Sequence, residues 1–262
     1  MGERLRVVSL NTWKCDGNYP QRLNWMADGL RALDPDIVFL QEAFECHSTG
    51  DDTADFLGRA QGLHVTQVWG REKLRHHFGE FRNSRSNLAM LTRKRPVHLE
   101  ALELVPCDGD QQRMVQIADL SISNLPMRLC NTHLTHIASP SGDTARMAQA
   151  EQLLRAAVPP DGGLAIFGGD LNARPQQVAI QKLADAPGIL APDNYNVLGT
   201  FHGQSVDDPV ERETLDYIFV MSGQSAPATS YKRAWKALDT PIGPDRMFPS
   251  DHAAVVADID LP

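Results

Sequence analysis

Apolar positions along this chain keep two rhythms. In "QRLNWMADGLRAL", Leu23, Met26, Leu30 and Leu33 recur at intervals of three and four, which lines one face of an α-helix. Pro35 disfavours helical backbone at the residue before it, so the helix must end there. "IVFL" follows as an unbroken apolar run, the pattern of a strand buried on both faces, and leads directly into Gln41 and Glu42. "RLRVVSLNTW", "SNLAMLTR", "MVQIADLSI", "MRLCNTHL", "TLDYIFVM" and "AAVVADIDL" also read as strands, and "GLAIFGGD" as a strand followed by a turn. Two further helices are expected. "DTARMAQAEQLLRAA" puts Met147, Ala150 and Leu154 on one side, and "PQQVAIQKLAD" opens with Pro175 near its first position, where a missing N–H costs nothing. Some strands follow one another with no helix between. A wholly parallel sheet is therefore excluded, and a mixed α/β architecture with helices outside the sheets is expected.

Composition narrows the setting. The 262 residues are 42% hydrophobic and 22% charged, ordinary for a globular chain. No linker, repeat or low-complexity tract marks a boundary, so one domain over residues 1–262 is expected. A net charge of -8 excludes a uniformly basic nucleic-acid coat, though not a local patch. The start lacks a signal-peptide core, and Arg6 stands where myristoylation of Gly2 would want Ser or Thr. No apolar run reaches membrane-spanning length. Cys15, Cys46, Cys107 and Cys130 form no CxxC pair and read as reduced thiols of a cytoplasmic protein, not as zinc ligands.

Strong polar groups stand at or near the ends of the apolar runs. Asn11 follows "RVVSL", Glu42 follows "IVFLQ", and Asn131 and His133 sit in "RLCNTHL". Asp170 and Asn172 follow "LAIFGG", Asp216 lies within "TLDYIFV", and Asp251-His252 precede "AAVVADI". Any one of them is explained by a cap or, as in "FGGDLNARP", by an Asx-rich turn. A carboxylate anchored to a core strand is costly unless paired, hydrogen-bonded or metal-bound. If these ends converge, four carboxylates meet in one place and require a cation. Oxygen ligands without cysteine suit Mg²⁺ or Mn²⁺. Glu42 is the leading ligand, with Asn11 and Asp251 in support. Asp170 would orient and deprotonate a water, and Asn172 would donate to a phosphoryl oxygen. His252, held by Asp216, would face the phosphate as a cation. Strand alternation puts Asn131 and His133 on one face, so His133 adds a donor and His136 does not.

In their order along the chain, "SLNTW", "PDIVFLQE", "NTHL", "GGDLN", "LDYIF" and "PSDH" resemble the motif series of the endonuclease/exonuclease/phosphatase superfamily. The resemblance spans residues 9 to 252. It implies a two-sheet β-sandwich flanked by helices on both outer faces, four layers in the order αββα, with a Mg²⁺-dependent phosphoester hydrolysis site at one edge. It also implies that Asn11 and Glu42 belong to the metal end and that His133 stands on the phosphate side. Asp170 and Asn172 become the pair that activates water and holds phosphate. Asp216 then orients His252, and Asp251-His252 close the site. On this reading the "GGDLN" turn is catalytic and its glycines give the substrate room. Two departures bear on substrate: Leu215 stands where several DNA-repair members carry arginine, and the Trp-Cys-Asp-Arg element of the inositol-phosphatase branch is absent.

Residues 69–87, "WGREKLRHHFGEFRNSRSN", carry five cations against Glu72 and Glu80, with Trp69, Phe78 and Phe81 interleaved. Basic and aromatic side chains together suit phosphates and stacked bases, which makes Arg71, Arg75 and Arg82 candidate substrate contacts. A solvated loop with its aromatics tucked inward is the plainer reading and slightly the better one. "SYKRAWKA", residues 230–237, offers the same choice. Asn87 and Arg174 are further candidate substrate contacts. His76 and His77 read as surface histidines, and Arg146 and Gln149 as solvent-facing helix residues. No GxSxG elbow supports a serine hydrolase. The expected activity is divalent-metal-dependent hydrolysis of phosphoesters, with phosphodiesterase or nuclease action ahead of phosphomonoesterase action on a small metabolite or lipid headgroup. The expected partner is an anionic phosphoester substrate, nucleic acid included. A non-catalytic binding protein of the same fold would be marked by loss of Asp170 or His252, and both are present.

Overall fold

Alternation along the central strands decides which way each sheet faces. In the computed structural model, which describes residues 3–208, 210–231 and 233–261, the first half holds β1 (Arg4–Asn11), α1 (Tyr19–Leu33), β2 (Ile37–Cys46), β3 (Asp51–Asp52), α2 (Thr53–Gln61), β4 (His64–Val68), β5 (Lys73–His77) and β6 (Glu80–Thr92). Then come β7 (His98–Glu103), β8 (Met114–Ile122), β9 (Leu125–His133), α3 (Pro140–Ala156) and β10 (Leu164–Asp170). The chain ends with α4 (Val178–Ala184), β11 (Ile189–Leu190), β12 (Asp216–Ser222), β13 (Ala234–Ala237) and β14 (Ala254–Asp260). Gly2 and Lys232 lie outside the described residues.

One sheet runs β13-β14-β1-β2-β6-β4, with β3 beside β2 and β5 beside β6; the other runs β11-β12-β10-β9-β8-β7. Each has a parallel pair near its middle, β1 with β2 and β9 with β10. Val7, Phe39, Leu129 and Ile166 point into the layer between the sheets. Their neighbours point outward: Val8 and Leu40 pack beneath α1 and α2, and Cys130 and Phe167 beneath α3 and α4. This is the expected αββα sandwich, covered by helices on both outer faces.

Helix α1 buries Leu23, Met26, Leu30 and Leu33 as its spacing predicts, and stops at Asp34, whose φ of 47° turns the chain into Pro35. Elsewhere the structure corrects the sequence. Helix α4 starts only at Val178, capped by Gln177, so Pro175 lies in the preceding turn. In α3 the buried stripe includes Arg146, Gln149, Ala150, Leu153 and Ala156, while Met147 and Leu154 are half-buried. Arg146 donates to the carbonyls of Thr135 and Ile137, and Gln149 bonds Thr135 N and Val105 O. These two side chains brace the segment after His133 and do not face solvent. Gly168 and Gly169 are strand residues, not turn residues. A Cβ on either would come within 1.9 or 2.0 Å of the Tyr217 or Thr132 carbonyl, so their smallness lets β12 and β9 approach β10 and makes no room for substrate.

Candidate active site

The parallel strand pairs of both sheets end at the same edge. Registry places Asp170 opposite His133 on one side and Asp216 on the other. Asn11 ends β1, opposite Gln41 of β2. Between Leu40 and Ala43 the pairing of β2 with β6 slips, and Glu42 takes a φ of 54° there. This bulge turns Glu42 out of the ladder towards the site. Beneath it, Gln41 Nε2 donates to Asn131 Oδ1 (2.7 Å), and Asn131 Nδ2 donates to the Leu40 and Ala89 carbonyls, which ties the sheets together.

Asp170 is the centre of the polar cluster. Its Oδ2 accepts from Asn11 Nδ2 at 2.9 Å and lies 3.3 Å from His133 Nε2 and 3.8 Å from His252 Nε2. Its Oδ1 accepts the Asn172 backbone N–H at 2.9 Å, across a tight turn in which Asn172 has a φ of 47°. Asn172 Nδ2 donates to the Leu134 carbonyl. His252 Nδ1 is 2.8 Å from Asp216 Oδ2, and the second Asp216 oxygen is buried without a partner among the described residues. Burial opposes ionisation of Asp170, yet the His133 and His252 charges and the Asn11 hydrogen bond hold its carboxyl well below the ordinary range. Burial also works against a charged His252, but Asp216 and Asp170 outweigh it and raise the imidazole to about 10. Asp170 is thus an anion and His252 a cation throughout the neutral range.

Glu42 stands apart from that cluster, paired to Lys14 Nζ at 3.0 Å. Burial raises the Asp251 carboxyl to about 6, with the Glu42 and Asp170 charges adding to the rise against His252 and Lys14. Glu42 and Asp251, close enough for the Glu42 charge to raise the Asp251 carboxyl, offer oxygen alone, the donor type that fits a hard divalent ion. Asp170, Asp216 and His252 approach most closely, with ligand atoms within 4.8 Å of one another, but the hydrogen bond between the last two marks a histidine-orienting pair.

Sequence reasoning missed Arg22 and Lys14. Arg22 is fully buried and spends its N–H groups on the carbonyls of Thr12, Trp13, Lys14, Asp16 and Pro249, with Trp13 against its guanidinium at 4.5 Å. It thereby fixes the loop after Asn11 to the loop before Asp251. The signal was a cation on the buried stripe of α1, between Tyr19 and Met26. Asn11 Oδ1 accepts the Trp13 N–H, and Ser250 Oγ donates to the Asn11 carbonyl at 2.6 Å, so both loops are held by the same corner.

The candidate substrate contacts divide. Arg71, Arg75 and Asn87 line a cleft that opens at Glu42, His133 and Lys14. Asn87 is buried, with its amide already bonded to Glu45, Gln67 and Gly70, so it shapes the cleft wall. Arg82 is not in the cleft and pairs with Glu80. Arg174 pairs with Glu213 on the opposite side of Asp170. Most of residues 73–84 form the β5–β6 hairpin, not a loop. Its aromatics are not tucked in, since Phe78 and Phe81 are 59% and 75% exposed, and Trp69 just before it is 68% exposed. His77 is buried and bonded to Asp51 at 2.7 Å, so of this pair His76 alone is a surface histidine. In residues 230–237, Trp235 lies in β13 and Lys236 pairs with Asp239, away from this edge.

The Endonuclease/Exonuclease/phosphatase family model matches residues 8–252. Tyrosyl-DNA phosphodiesterase 2 of Xenopus tropicalis is 27% identical over 274 residues, covering 97% of this chain; the chain spans 66% of that relative, less than two thirds of its length. A D. rerio TDP2 structure complexed with a single strand DNA product is 19% identical with a TM-score of 0.70, covering 98% of this chain and 99% of its own. A family protein of Bacteroides thetaiotaomicron is also 19% identical, with a TM-score of 0.72, 100% of this chain and 99% of that one covered. Among the described residues no helix is long and apolar enough to cross a membrane.

Proposed function

The chain belongs to the endonuclease/exonuclease/phosphatase family, and on that premise we propose that residues 1–262 form one catalytic domain, a divalent-metal-dependent hydrolase of phosphodiesters. The observation that carries this reading is the Asp170 carboxylate, anchored by Asn11 and Asn172 and facing two histidines. Glu42, with Asn11 and Asp251, would hold Mg²⁺ or Mn²⁺. When bound, that ion supplies Lewis-acid stabilisation of charge developing on phosphoryl and leaving oxygens.

The chain's own residues do the rest. Asp170 accepts a hydrogen bond from the attacking water and aims its lone pair at phosphorus. A carboxylate so acidic is a weak base, so orientation is its larger contribution. His252, kept protonated by Asp216, donates through Nε2 to a phosphoryl oxygen. His133 adds a donor beside it, and the remaining Asn172 N–H serves another oxygen. Such fixed dipoles and charges carry most of the rate in phosphoryl transfer because they need no reorganisation when charge develops. Nucleic acid is the substrate class we favour, supported by Trp69, exposed at the cleft rim with Arg85 at 5.4 Å from its ring centre. Four buried free thiols suit a reducing compartment such as the cytoplasm.

The test is a turnover panel with bis-p-nitrophenyl phosphate and p-nitrophenyl phosphate in Mg²⁺, Mn²⁺ or EDTA. The diester should be preferred and the chelator should abolish activity. Full activity after exhaustive chelation would overturn the metal role, and preference for the monoester would overturn the diesterase assignment.

A further inference from the structure

The cleft beside Glu42 holds more positive charge than one phosphate requires. Five cations line it, Lys14, Arg71, Lys73, Arg75 and Arg113, against Glu42 and Asp110. The acids of this region are already committed. Glu72 pairs with Arg85, Glu80 with Arg82, Asp110 with Arg113, and Glu42 with Lys14. Among the described residues no carboxylate pairs with Arg71, Lys73 or Arg75. The Arg75 guanidinium bonds only neutral oxygens of Ser84 and Ser86, which locks it in place and leaves its charge uncompensated. Partial burial, with the Arg71 and Arg75 charges, lowers the Lys73 ammonium from its ordinary value, so these cations feel one another across the cleft. Its volume of about 110 Å³ is several times the roughly 10–15 Å³ that one ordered water needs.

Like charges gathered around one space are unfavourable unless an anion joins them. Their position matters as much as their number. The cleft runs from Glu42 and His133, at the reacting centre, to Arg71, Lys73 and Arg75, so an anion held by those three would lie beside the phosphate held at Asp170, His133 and His252. We propose that these three residues form a subsite for a second phosphate of the substrate, carried one linkage beyond the scissile diester. This rests on the hydrolase reading above, and it narrows the substrate to a diester bearing a further phosphate.

Binding separates the two ideas. Equilibrium affinity of the Asp170→Asn protein in Mg²⁺ is measured for the dinucleotide TpT and for its 5′- and 3′-phosphorylated forms, pTpT and TpTp. At least one phosphorylated form should bind tenfold or more tighter than TpT. The double substitution Arg71→Met, Lys73→Met should bring that ratio close to one, whereas Arg82→Met, outside the cleft, should leave it intact. The same ratios on wild-type protein in EDTA serve if Asp170→Asn does not fold. No preference for either phosphorylated form, or a preference that survives the double substitution, overturns the subsite. Turnover of TpT by wild-type protein is scored separately. Phosphate-dependent binding without turnover leaves the subsite and removes the hydrolase; turnover without phosphate preference does the reverse.

Discussion

Two troughs flank Asp170, and both are lined with arginine. On the Glu42 side, Arg71, Lys73 and Arg75 line a cleft, and among the described residues no carboxylate pairs with them. On the Asn172 side, Arg174 and Arg146 line a second depression, but Glu213 and Asp143 pair with them. A count of cations, five against two, leaves open which of them are available to a ligand. Their pairing does not, because an arginine already holding a carboxylate must give up that contact before it can bind a phosphate, whereas an unpaired one gains. Substrate should therefore extend from the reacting centre along the Glu42 side.

The strongest way to sharpen this contrast is to remove what the two sides share. Asp170→Asn should lower kcat by about 10³-fold, within the range seen when a positioned base or a fixed dipole is lost. The loss should be similar for every substrate, whichever trough it occupies, with the thermal midpoint little changed. Near-normal turnover in a steady-state assay would mean that the centre lies elsewhere. The contrast itself is tested next. Arg71→Glu with Lys73→Glu should raise KM for an oligonucleotide at least about tenfold, near 1.4 kcal/mol or more, and flatten its dependence on salt. Arg174→Ala should do less than either. A larger effect from Arg174 would reverse the assignment of the two sides.

Why one side could be read from sequence and the other could not follows from where information sits. Asn11, His133 and Asp170 end their strands and Asp216 begins its own, and a strand buried on both faces leaves few places for a terminal residue to point. Glu42 was found for the same reason, although the bulge that aims it has no signature in "IVFLQEAF". The hairpin was harder. "KLRHH" has no apolar face because β5 is mostly exposed and its one buried residue, His77, is polar, so periodicity had nothing to report. Exposed Phe78 and Phe81 broke the assumption that aromatics turn inward. The pairing of Arg174 with Glu213 joins residues 39 apart, a contact no local pattern announces. Arg146 and Gln149 misled in the opposite sense: they are buried because they satisfy backbone groups of the Thr135 segment, which hydrophobicity cannot show.

A smaller effect comes from the one acid of the cleft that is paired to an arginine and a histidine at once. Asp110 lies 2.9 Å from Arg113 and 3.3 Å from His136, and accepts the Thr135 hydroxyl. Burial works against its ionisation, but these partners hold the carboxyl well below the ordinary range. A depressed folded-state pKa stabilises the fold above the unfolded value of about 3.9 and loses that stabilisation as pH falls through the folded value. Asp110→Asn should therefore be less stable than wild type at pH 7, with the gap narrowing as pH falls below about 4. It should also release Arg113 into the cleft and lower KM about twofold, the scale of one partly exposed charge. Urea melts at pH 7 and pH 3 check the first effect: a gap that stays constant would mean that Asp110 is not linked to acid stability. An unchanged KM would show that Arg113 lies beyond the substrate's reach.

The smallest effect bears most directly on pairing. Glu213→Gln leaves the second trough its shape and frees Arg174, whose side chain is 51% exposed. An exposed pair is worth about 0–1 kcal/mol, because water screens its attraction and two long side chains lose freedom in forming it. The thermal midpoint should therefore move by no more than a few degrees. If carboxylate pairing is what silences this side, the freed guanidinium adjoining Asn172 becomes available to a phosphoryl oxygen, and KM should fall by up to about twofold. The double substitution Glu213→Gln, Arg174→Gln should abolish that gain, because no charge would remain to use. A fall in KM that persists in the double variant would trace to loss of the acid's repulsion alone. It would show that the two troughs differ in net charge, with the pairing of Arg174 playing no part.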